Sequence, residues 1–258
     1  MDTDRAAELN RRVWDSFRRQ RDVGLVGGRQ DVVTPLARGH SYLGEVLREL
    51  AGNVRGQRLL DLGCGDGAEL LEWARLGAEV VGVDNSSVQL AAARRNADAL
   101  GVPRDRCRLV LADVLRLPDE LLQGAFDIVF SSAVLTWIGD LDRWFAAVVA
   151  ALKPGGVFLL EGGHPLAAFY RDQQQGASGW DSYFDEGPFV ERCDASHRWN
   201  PAGEDLATAS WMPTLGHVVT AVAQAGLRVS HLVEVPDHAD VYGIPGGPGT
   251  FVVRAVRS

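Results

Sequence analysis

Residues 59–84, LLDLGCGDGAELLEWARLGAEVVGVD, constrain the fold of this chain more than any other stretch. An apolar run is followed at once by three closely spaced glycines, Gly63, Gly65 and Gly67, and then by a helical pattern. Glycine allows the backbone to turn sharply and to approach a ligand closely. A second apolar run then ends in Asp84. This order predicts a βαβ unit with a ligand site at the carboxyl ends of its strands.

Short apolar runs and helical stretches keep alternating as far as residue 162, which gives five strands. Such a series predicts a parallel sheet with right-handed crossovers. The second helix has clear end signals, because Ser86 or Ser87 can cap its start and Gly101 follows its last apolar residue. The predicted strands are 58–63, 79–84, 108–113, 126–132, 156–162, 227–235 and 250–256, and the predicted helices are 69–76, 86–100, 141–152 and 215–225.

The rest of the chain is predicted to surround a core over 58–162. Residues 1–57 have the spaced apolar positions of surface helices and form an N-terminal helical preface. Residues 163–212 have no clear period and hold eight aromatic side chains, which predicts an inserted lid. Residues 213–258 add a helix and an antiparallel strand pair joined by the Gly- and Pro-rich loop 243–249. One α/β domain is expected.

The amino-acid composition limits which binding partners and which cellular compartment are expected. The 26 basic and 34 acidic residues give a formal charge of −8, so no basic surface is expected for nucleic acid. Cys64, Cys107 and Cys193 are odd in number and far apart, which fits a reducing cytoplasm and neither a disulfide framework nor a zinc site. No apolar run reaches the 18 or so residues of a membrane span, and the charged first residues do not resemble a secretory signal. A soluble cytoplasmic protein without a metal is expected.

Asp84 lies 21 residues after Gly63, at the end of the second strand. In open α/β sheets an acidic side chain there accepts two hydrogen bonds from a ribose diol, so a nucleoside-containing ligand is predicted. The spacing Gly63-x-Gly65-x-x-Ala68 also fits the dinucleotide pattern GxGxxG/A. A nicotinamide-dependent oxidoreductase is therefore one alternative. A module that binds a cofactor without catalysis is another.

Three further carboxylates favour a nucleoside ligand without a pyrophosphate. Asp61, two residues before the first glycine, can face the ammonium of an amino-acid moiety, whereas it would repel a pyrophosphate. Asp66 adds a second negative charge inside the loop. Asp113 ends the third strand, from which an adenine amino group can be recognised.

These residues, with the turn LKPGG at 152–156, resemble the class I S-adenosylmethionine-dependent methyltransferases over about 58–162. The strings WARLGAEVVGVDNS, FDIVFSSAVLTWIGDLDRW and LKPGGVFLLEGGHP resemble a branch of small-molecule or uncharacterised methyltransferases. The resemblance implies a Rossmann-like, mostly parallel seven-stranded sheet with a reversed C-terminal hairpin, S-adenosylmethionine as cofactor, and in-line methyl transfer to the O, N or C atom of a small acceptor. His217 stands where relatives often carry a glutamate, so no role is implied there. The implied cofactor-binding residues are Asp61, Gly63, Cys64, Gly65, Asp84, Asn85, Asp113, Val114, Ser131 and Ser132.

Two residues at the end of the fifth strand are candidate catalytic groups. His164 directly follows this strand, where a neutral imidazole can take the proton from an attacking hydroxyl or amine. Its alternative role is to hydrogen-bond the backbone and orient the lid. Glu161 can orient His164 or bind a cationic substrate. By contrast, Cys64 is interpreted as a small spacer and not as a nucleophile.

The lid aromatics are expected to have mixed roles, as an acceptor pocket, a small core of their own or a homodimer contact. Tyr170, Tyr183 and Trp211 are the candidate substrate-binding residues. Residues 164–212 carry eight acidic and three basic residues, which disfavours a polyanionic acceptor. Core positions are predicted for Trp14, Trp73, Trp137 and Trp144.

Overall fold

The computed structural model describes residues 1–26, 31–175, 180–197, 199–237 and 246–258. Within these ranges the chain forms nine strands and eight α-helices. The strands are β1 (Arg58–Leu62), β2 (Glu79–Asp84), β3 (Cys107–Leu111), β4 (Phe126–Ser132), β5 (Leu152–Gly163), β6 (Phe189–Cys193), β7 (Leu206–Ser210), β8 (Leu227–Pro236) and β9 (Pro248–Arg257). The helices are α1 (Thr3–Asp22), α2 (Val33–Ala37), α3 (Glu45–Ala51), α4 (Ala68–Arg75), α5 (Ser87–Ala99), α6 (Leu141–Ala151), α7 (Pro165–Gln175) and α8 (Leu215–Gln224).

Seven strands form one sheet in the order β3-β2-β1-β4-β5-β9-β8. The first five are parallel, and β9 runs antiparallel to both β5 and β8. The predicted Rossmann-like sheet with an antiparallel C-terminal pair is confirmed. Its strand order reverses between β1 and β4, and ligands of open α/β sheets bind outside the carboxyl ends at such a point. The loop predicted over 243–249 lies partly outside the described residues.

Local sequence accounts for the elements around this switch point. Leu59 and Leu60 of β1 are fully buried and belong to different core clusters, as expected for a parallel strand covered on both faces. The Ser86 hydroxyl accepts a hydrogen bond from the Gln89 N–H at the start of α5. Gly101 follows that helix with a φ of +67°. Both predicted end signals are therefore confirmed.

The two faces of the sheet carry separate hydrophobic layers. One layer includes the fully buried rings of Trp144 and Phe158, and the other includes Trp73 and Phe130 in edge contact at 5.5 Å. The predicted core positions of Trp73 and Trp144 are confirmed. Among the described helices, none has the length and apolarity that a membrane crossing requires.

Helix α1 of the N-terminal preface packs on the inserted lid, which the sequence patterns did not predict. The lid contains α7 and the antiparallel pair β6 and β7. Helix α1 packs against β7, where the Asn10 amide both donates to the Ala209 carbonyl (2.8 Å) and accepts from its N–H (2.9 Å). The side-chain oxygen of Gln20 accepts from the Ala202 N–H at 2.9 Å. The two segments therefore behave as one cover over the sheet edge.

Candidate functional site

A cavity of about 360 Å³ lies at the carboxyl ends of β1, β2, β3 and β4. This size is within the range of roughly 300–1,000 Å³ typical of small-molecule sites. The loops after these four strands supply one side of it. Eight of the ten predicted cofactor residues line the cavity, namely Gly63, Cys64, Gly65, Asp84, Asn85, Asp113, Val114 and Ser132.

The glycine loop after β1 turns in a way that only glycine tolerates. The N–H groups of Gly63 and Cys64 both donate to the Val83 carbonyl, at 2.8 and 3.0 Å. Gly63 has a φ of +86°, and a Cβ there would lie 2.3 Å from Val134 Cγ2. Gly67, with a φ of +82°, precedes the first turn of α4. The loop can therefore bring its backbone against a bound ligand.

Both carboxylate oxygens of Asp84 accept hydrogen bonds from backbone N–H groups. Oδ2 accepts from the Gly65 N–H at 2.9 Å, and Oδ1 accepts from the Ser86 N–H at 2.8 Å. Burial raises the pKa of Asp84 to about 6, although the two backbone hydrogen bonds oppose this shift. An ionised carboxylate offers about four acceptor positions, so acceptor capacity remains toward the cavity. This geometry suits a pair of hydroxyl donors.

Asp61 and Ser131 lie outside the described wall of the cavity. Asp61 is 2% exposed, and burial raises its pKa well above the ordinary value, with smaller contributions from Glu69 and Asp84. Direct ligand contact by Asp61 stays a prediction. Ser131 is fully buried and donates to the Leu62 carbonyl at 2.8 Å. The expectation that Ser131 lines the mouth is wrong, because its hydroxyl joins β4 to β1.

The charge of Asp66 is compensated, contrary to the sequence-based argument. Its Oδ2 lies 3.1 Å from Nη1 of Arg18 and 3.8 Å from Nη1 of Arg21, both on α1. Arg18 and Asp66 are both almost completely buried. The interpretation of Asp66 as a charge that repels a pyrophosphate is therefore wrong.

Helix α1 covers the cavity with one continuous face. The lining positions recur every three or four residues, which places them on one side of a helix. The Ser86 hydroxyl donates to Asp15 Oδ1 at 2.5 Å and so connects α1 to the segment that follows Asp84. Sequence analysis assigned α1 only to a surface preface. The side chains of α1 that line the cavity are Thr3, Ala7, Asn10, Trp14, Phe17 and Arg21.

Four tryptophans line the side of the cavity formed by α1, the loop after β4 and the lid, and we call them the indole wall: Trp14, Trp137, Trp199 and Trp211. The first three are in mutual contact, with ring centroids 5.4 to 5.5 Å apart. The Trp211 ring lies against Gly139, where a Cβ would come within 2.5 Å of it. Trp211 was predicted to bind substrate and does line the cavity, whereas the prediction of Trp14 and Trp137 as core is wrong.

His164 is engaged away from the cavity. Its Nδ1 accepts from the Leu166 N–H at 3.2 Å, and its Nε2 lies 2.9 Å from Glu234 Oε1. The ring is almost fully buried and is absent from the described cavity wall. The general-base role of His164 stays a prediction, and the ring contacts support its alternative role, because Nδ1 holds the start of α7 and Nε2 pairs with Glu234 of β8.

Glu161 lies behind Ser132 and does not line the cavity itself. Its Oε2 accepts from the Ser132 hydroxyl at 3.4 Å, which is a long hydrogen bond. Burial raises the pKa of Glu161, and the nearby Glu69 carboxylate adds to the shift. Its predicted part in orienting His164 has no contact to support it, because His164 pairs with Glu234 instead.

Four of the remaining lid aromatics, Phe169, Trp180, Tyr183 and Phe189, form a cluster of their own. Trp180 contacts Phe169 at 5.1 Å and Phe189 at 5.5 Å. Tyr183 packs on the edge of Phe169 at 6.2 Å, and Tyr170 is 37% exposed on α7. Neither Tyr170 nor Tyr183 belongs to the described cavity wall, and their contact with substrate stays a prediction.

The cysteines have no reactive or metal-binding setting in the described part of the chain. Burial raises the pKa of the Cys64 thiol well above its ordinary value, with nearby carboxylates adding to the shift. Cys64 Sγ packs where a Cβ on Gly82 would lie 2.8 Å away, which fits a small spacer. Among the described residues no group of three His, Cys, Asp or Glu side chains is placed to hold a metal.

Comparison with known proteins relates the core of this chain to one enzyme family. Residues 60–160 match the family model described as a methyltransferase domain. The chain is 33% identical over 121 residues to the sterol 4-C-methyltransferase strm-1 of Caenorhabditis elegans (47% of this chain, 34% of the relative). It is 35% identical over 109 residues to a ubiquinone biosynthesis O-methyltransferase of Rhodopseudomonas palustris (42% and 40%). These matches therefore span well under half the length of both curated relatives.

A solved structure extends the similarity beyond this core. An S-adenosylmethionine-dependent methyltransferase from Mesorhizobium loti is 28% identical, with a TM-score of 0.63 over 82% of this chain and 96% of that one. The family model ends before the lid and begins after α1. The indole wall therefore comes mostly from segments that the family model does not include.

Proposed function

We propose that this chain, which belongs to the class I superfamily of S-adenosylmethionine-dependent methyltransferases, binds S-adenosylmethionine in the described cavity and methylates a small organic acceptor. The observation that carries the proposal is Asp84, presented at the switch point of the sheet by the N–H groups of Gly65 and Ser86. The relatives reported above are methyltransferases, which gives the nicotinamide-dependent alternative no support.

The residues of the cavity fit this cofactor. Asp84 accepts the two ribose hydroxyls, and Asp113 with Val114 borders the adenine, as the resemblance implies. The backbone of Gly63 and Gly65 borders the amino-acid part, where a side chain on Gly63 would collide with Val134. When bound, the cofactor supplies a methyl group on a sulfonium, which carries its own leaving group.

The protein's part in the transfer is alignment and exclusion of water. In-line displacement needs the acceptor atom held about 3 to 3.5 Å from the methyl carbon in a near-attack geometry. Helix α1, which is joined to the glycine loop by the Arg18–Asp66 pair, and the indole wall line the cavity and so reduce the access of water to the reacting atoms. The acceptor is expected to lie between that wall and Ser132.

Thermal unfolding tests the cofactor directly. A ligand at 100 times its dissociation constant stabilises the folded chain by about 2.7 kcal/mol, which for a chain of this size raises Tm by about 5–10 °C. We expect this rise with S-adenosylmethionine and S-adenosylhomocysteine and no rise with NADH or NADPH. A rise with a dinucleotide alone would contradict the proposal. Cofactor binding without turnover across a broad acceptor panel would favour a non-catalytic module.

Cofactor affinity should fall below about pH 6, because the ribose hydroxyls donate to the ionised form of Asp84. The pKa of Asp84 is about 6 without ligand, so at pH 5 only about one tenth of the carboxyl is ionised. Calorimetric titration with S-adenosylhomocysteine should show constant affinity above pH 7 and about tenfold weaker binding at pH 5. The Asp84→Asn variant is the control and should bind weakly with a flat profile. Constant wild-type affinity from pH 5 to 8 would exclude this role.

The raised pKa of Asp84 also makes the free energy of unfolding depend on pH. The folded value of about 6 lies above the ordinary aspartate value of 3.8, so the protonated carboxyl favours the folded state. The contribution of Asp84 to stability without ligand therefore falls as the pH rises from about 4 to 6. Bound cofactor should reverse part of this loss, because its hydroxyl donors stabilise the ionised form.

The cellular compartment and the oligomeric state of the protein are also part of the proposal. The three cysteines are free and buried, which supports a reducing cytoplasm. The formal charge of −8 argues against nucleic acid as a partner. A homodimer stays a prediction, which sedimentation can test.

A further inference from the structure

The acceptor side of the cavity combines aromatic rings with a carboxylate. The indole wall forms its aromatic part, with Trp14, Trp137 and Trp199 in mutual contact. Tryptophan is the best aromatic partner for a cation, because its ring face is negative. Each of these rings also lines the cavity. The wall can therefore attract a positively charged group as well as an apolar one.

The charges around the same cavity are mainly negative. Four carboxylates belong to its described wall, but Asp66 is paired with Arg18 and Arg21, and Asp84 and Asp113 are assigned to the cofactor, so the acceptor side keeps the charge of Glu69. Arg21 is the one cationic side chain among the described wall residues, and its guanidinium lies 3.8 Å from Asp66 and 4.4 Å above the Phe17 ring. This arrangement favours a cationic group in the cavity over an anionic one.

We propose that the acceptor is a tertiary amine on a small aromatic or apolar body, and that the reaction forms a quaternary ammonium product. This inference rests on the proposed methyltransferase function. The nitrogen lone pair forms the bond to the methyl carbon while the carbon–sulfur bond breaks, and that electron pair stays on sulfur. The positive charge moves from sulfur to nitrogen and no proton moves. The indole wall and the Glu69 carboxylate stabilise that charge on both atoms.

The chemistry fits the placement of the polar side chains. A tertiary amine attacks with its own lone pair once its ammonium form has lost its proton to solvent, so the methyl transfer itself needs no general base. His164, the histidine predicted to act as a base, is engaged with Leu166 and Glu234 instead. A carboxylate or diphosphate acceptor would place negative charge beside the wall carboxylate of Glu69.

Three probes that share a phenethyl body test the acceptor class: N,N-dimethylphenethylamine, 2-phenylethanol and 3-phenylpropanoate. With S-adenosylmethionine present, we expect kcat/KM for the amine to exceed the other two by at least tenfold, with the quaternary product identified by its mass. Faster methylation of the alcohol or the carboxylate would overturn the inference and leave the proposed function intact. Failure to bind S-adenosylhomocysteine would overturn both.

A binding measurement decides the case in which none of the probes turns over. The complex with S-adenosylhomocysteine should bind N,N,N-trimethylphenethylammonium at least tenfold more tightly than 3-phenylpropanoate. Trp199→Leu should lower the affinity for this cation about tenfold, and Trp199→Phe should keep most of the wild-type affinity. Phe184→Leu is the matched control, because that lid aromatic is 80% exposed and does not line the cavity. Equal binding of cation and carboxylate, or no effect of Trp199→Leu in a variant that still binds S-adenosylhomocysteine, would overturn the inference.

Discussion

Replacing Asp84 by alanine should weaken S-adenosylhomocysteine binding by at least a factor of 100. Each hydrogen bond to a charged group contributes about 1.5–3 kcal/mol, and the ribose diol makes two of them to this carboxylate. The change also leaves the N–H groups of Gly65 and Ser86 without their acceptor, so the glycine loop loses its anchor. Calorimetric titration at pH 7.5 measures the effect, with Tm recorded to confirm folding.

Asp127→Asn is the matched control for the Asp84 experiment. Asp127 is also in the main sheet, near the start of β4, where it accepts from the Arg58 N–H and from Lys153 Nζ, both at 2.8 Å. Its removal should leave cofactor affinity within about twofold of wild type, since an exposed pair of this kind contributes roughly 0–1 kcal/mol to stability. If Asp84→Ala binds within threefold of wild type, Asp84 is not the ribose acceptor.

The second large effect is expected at Arg18, through which α1 is held over the cavity. Arg18→Met removes the nearer of the two arginine partners of Asp66, whose side chain is 3% exposed, and leaves Arg21 at 3.8 Å. Removing one partner of a buried ion pair typically costs about 3–5 kcal/mol of folding free energy. We expect a loss of this size in urea denaturation, together with weaker S-adenosylhomocysteine binding because α1 lines the cavity.

Arg19→Met provides the control, because it changes the next residue of the same helix. Arg19 is 55% exposed and lies 3.9 Å from Glu204 at the surface. Its loss should change the free energy of unfolding by less than about 0.5 kcal/mol. Equal effects of the two substitutions would show that the Arg18–Asp66 pair does not hold α1 in place.

Most of the main sheet was predictable because its signals are local. Each strand from β1 to β5 is an apolar run bounded by a helix or a turn, and Ser86 and Gly101 mark the ends of α5 in the sequence itself. The lid strands β6 and β7 lack such apolar runs, because β6 reads FVERC with three exposed positions and β7 reads LATAS. Segments of this composition show no readable period, so the lid could be recognised only as an aromatic-rich insertion.

The cofactor half of the site was predictable for the same reason. Its residues follow successive strands within 61–132, where parallel topology brings the strand ends together. The acceptor half depends on contacts distant in sequence, such as Arg18 with Asp66. An apolar face such as that of α1 looks the same in sequence whether it covers a core or a cavity, which is why Trp14 was misassigned. The partner of His164, Glu234, lies 70 residues further on.

The contact between Asn10 and Ala209 joins residues 199 positions apart, and this separation has a consequence for synthesis on the ribosome. At roughly 5–20 residues per second, about 10–40 seconds pass between translation of α1 and translation of its partner strand. During that interval α1 has already been synthesised, but the strand against which its tryptophan-bearing face packs, β7, has not. Completion of the cavity is therefore a late event in biogenesis, and a ribosome pause before β7 would prolong the exposure of that face to chaperones.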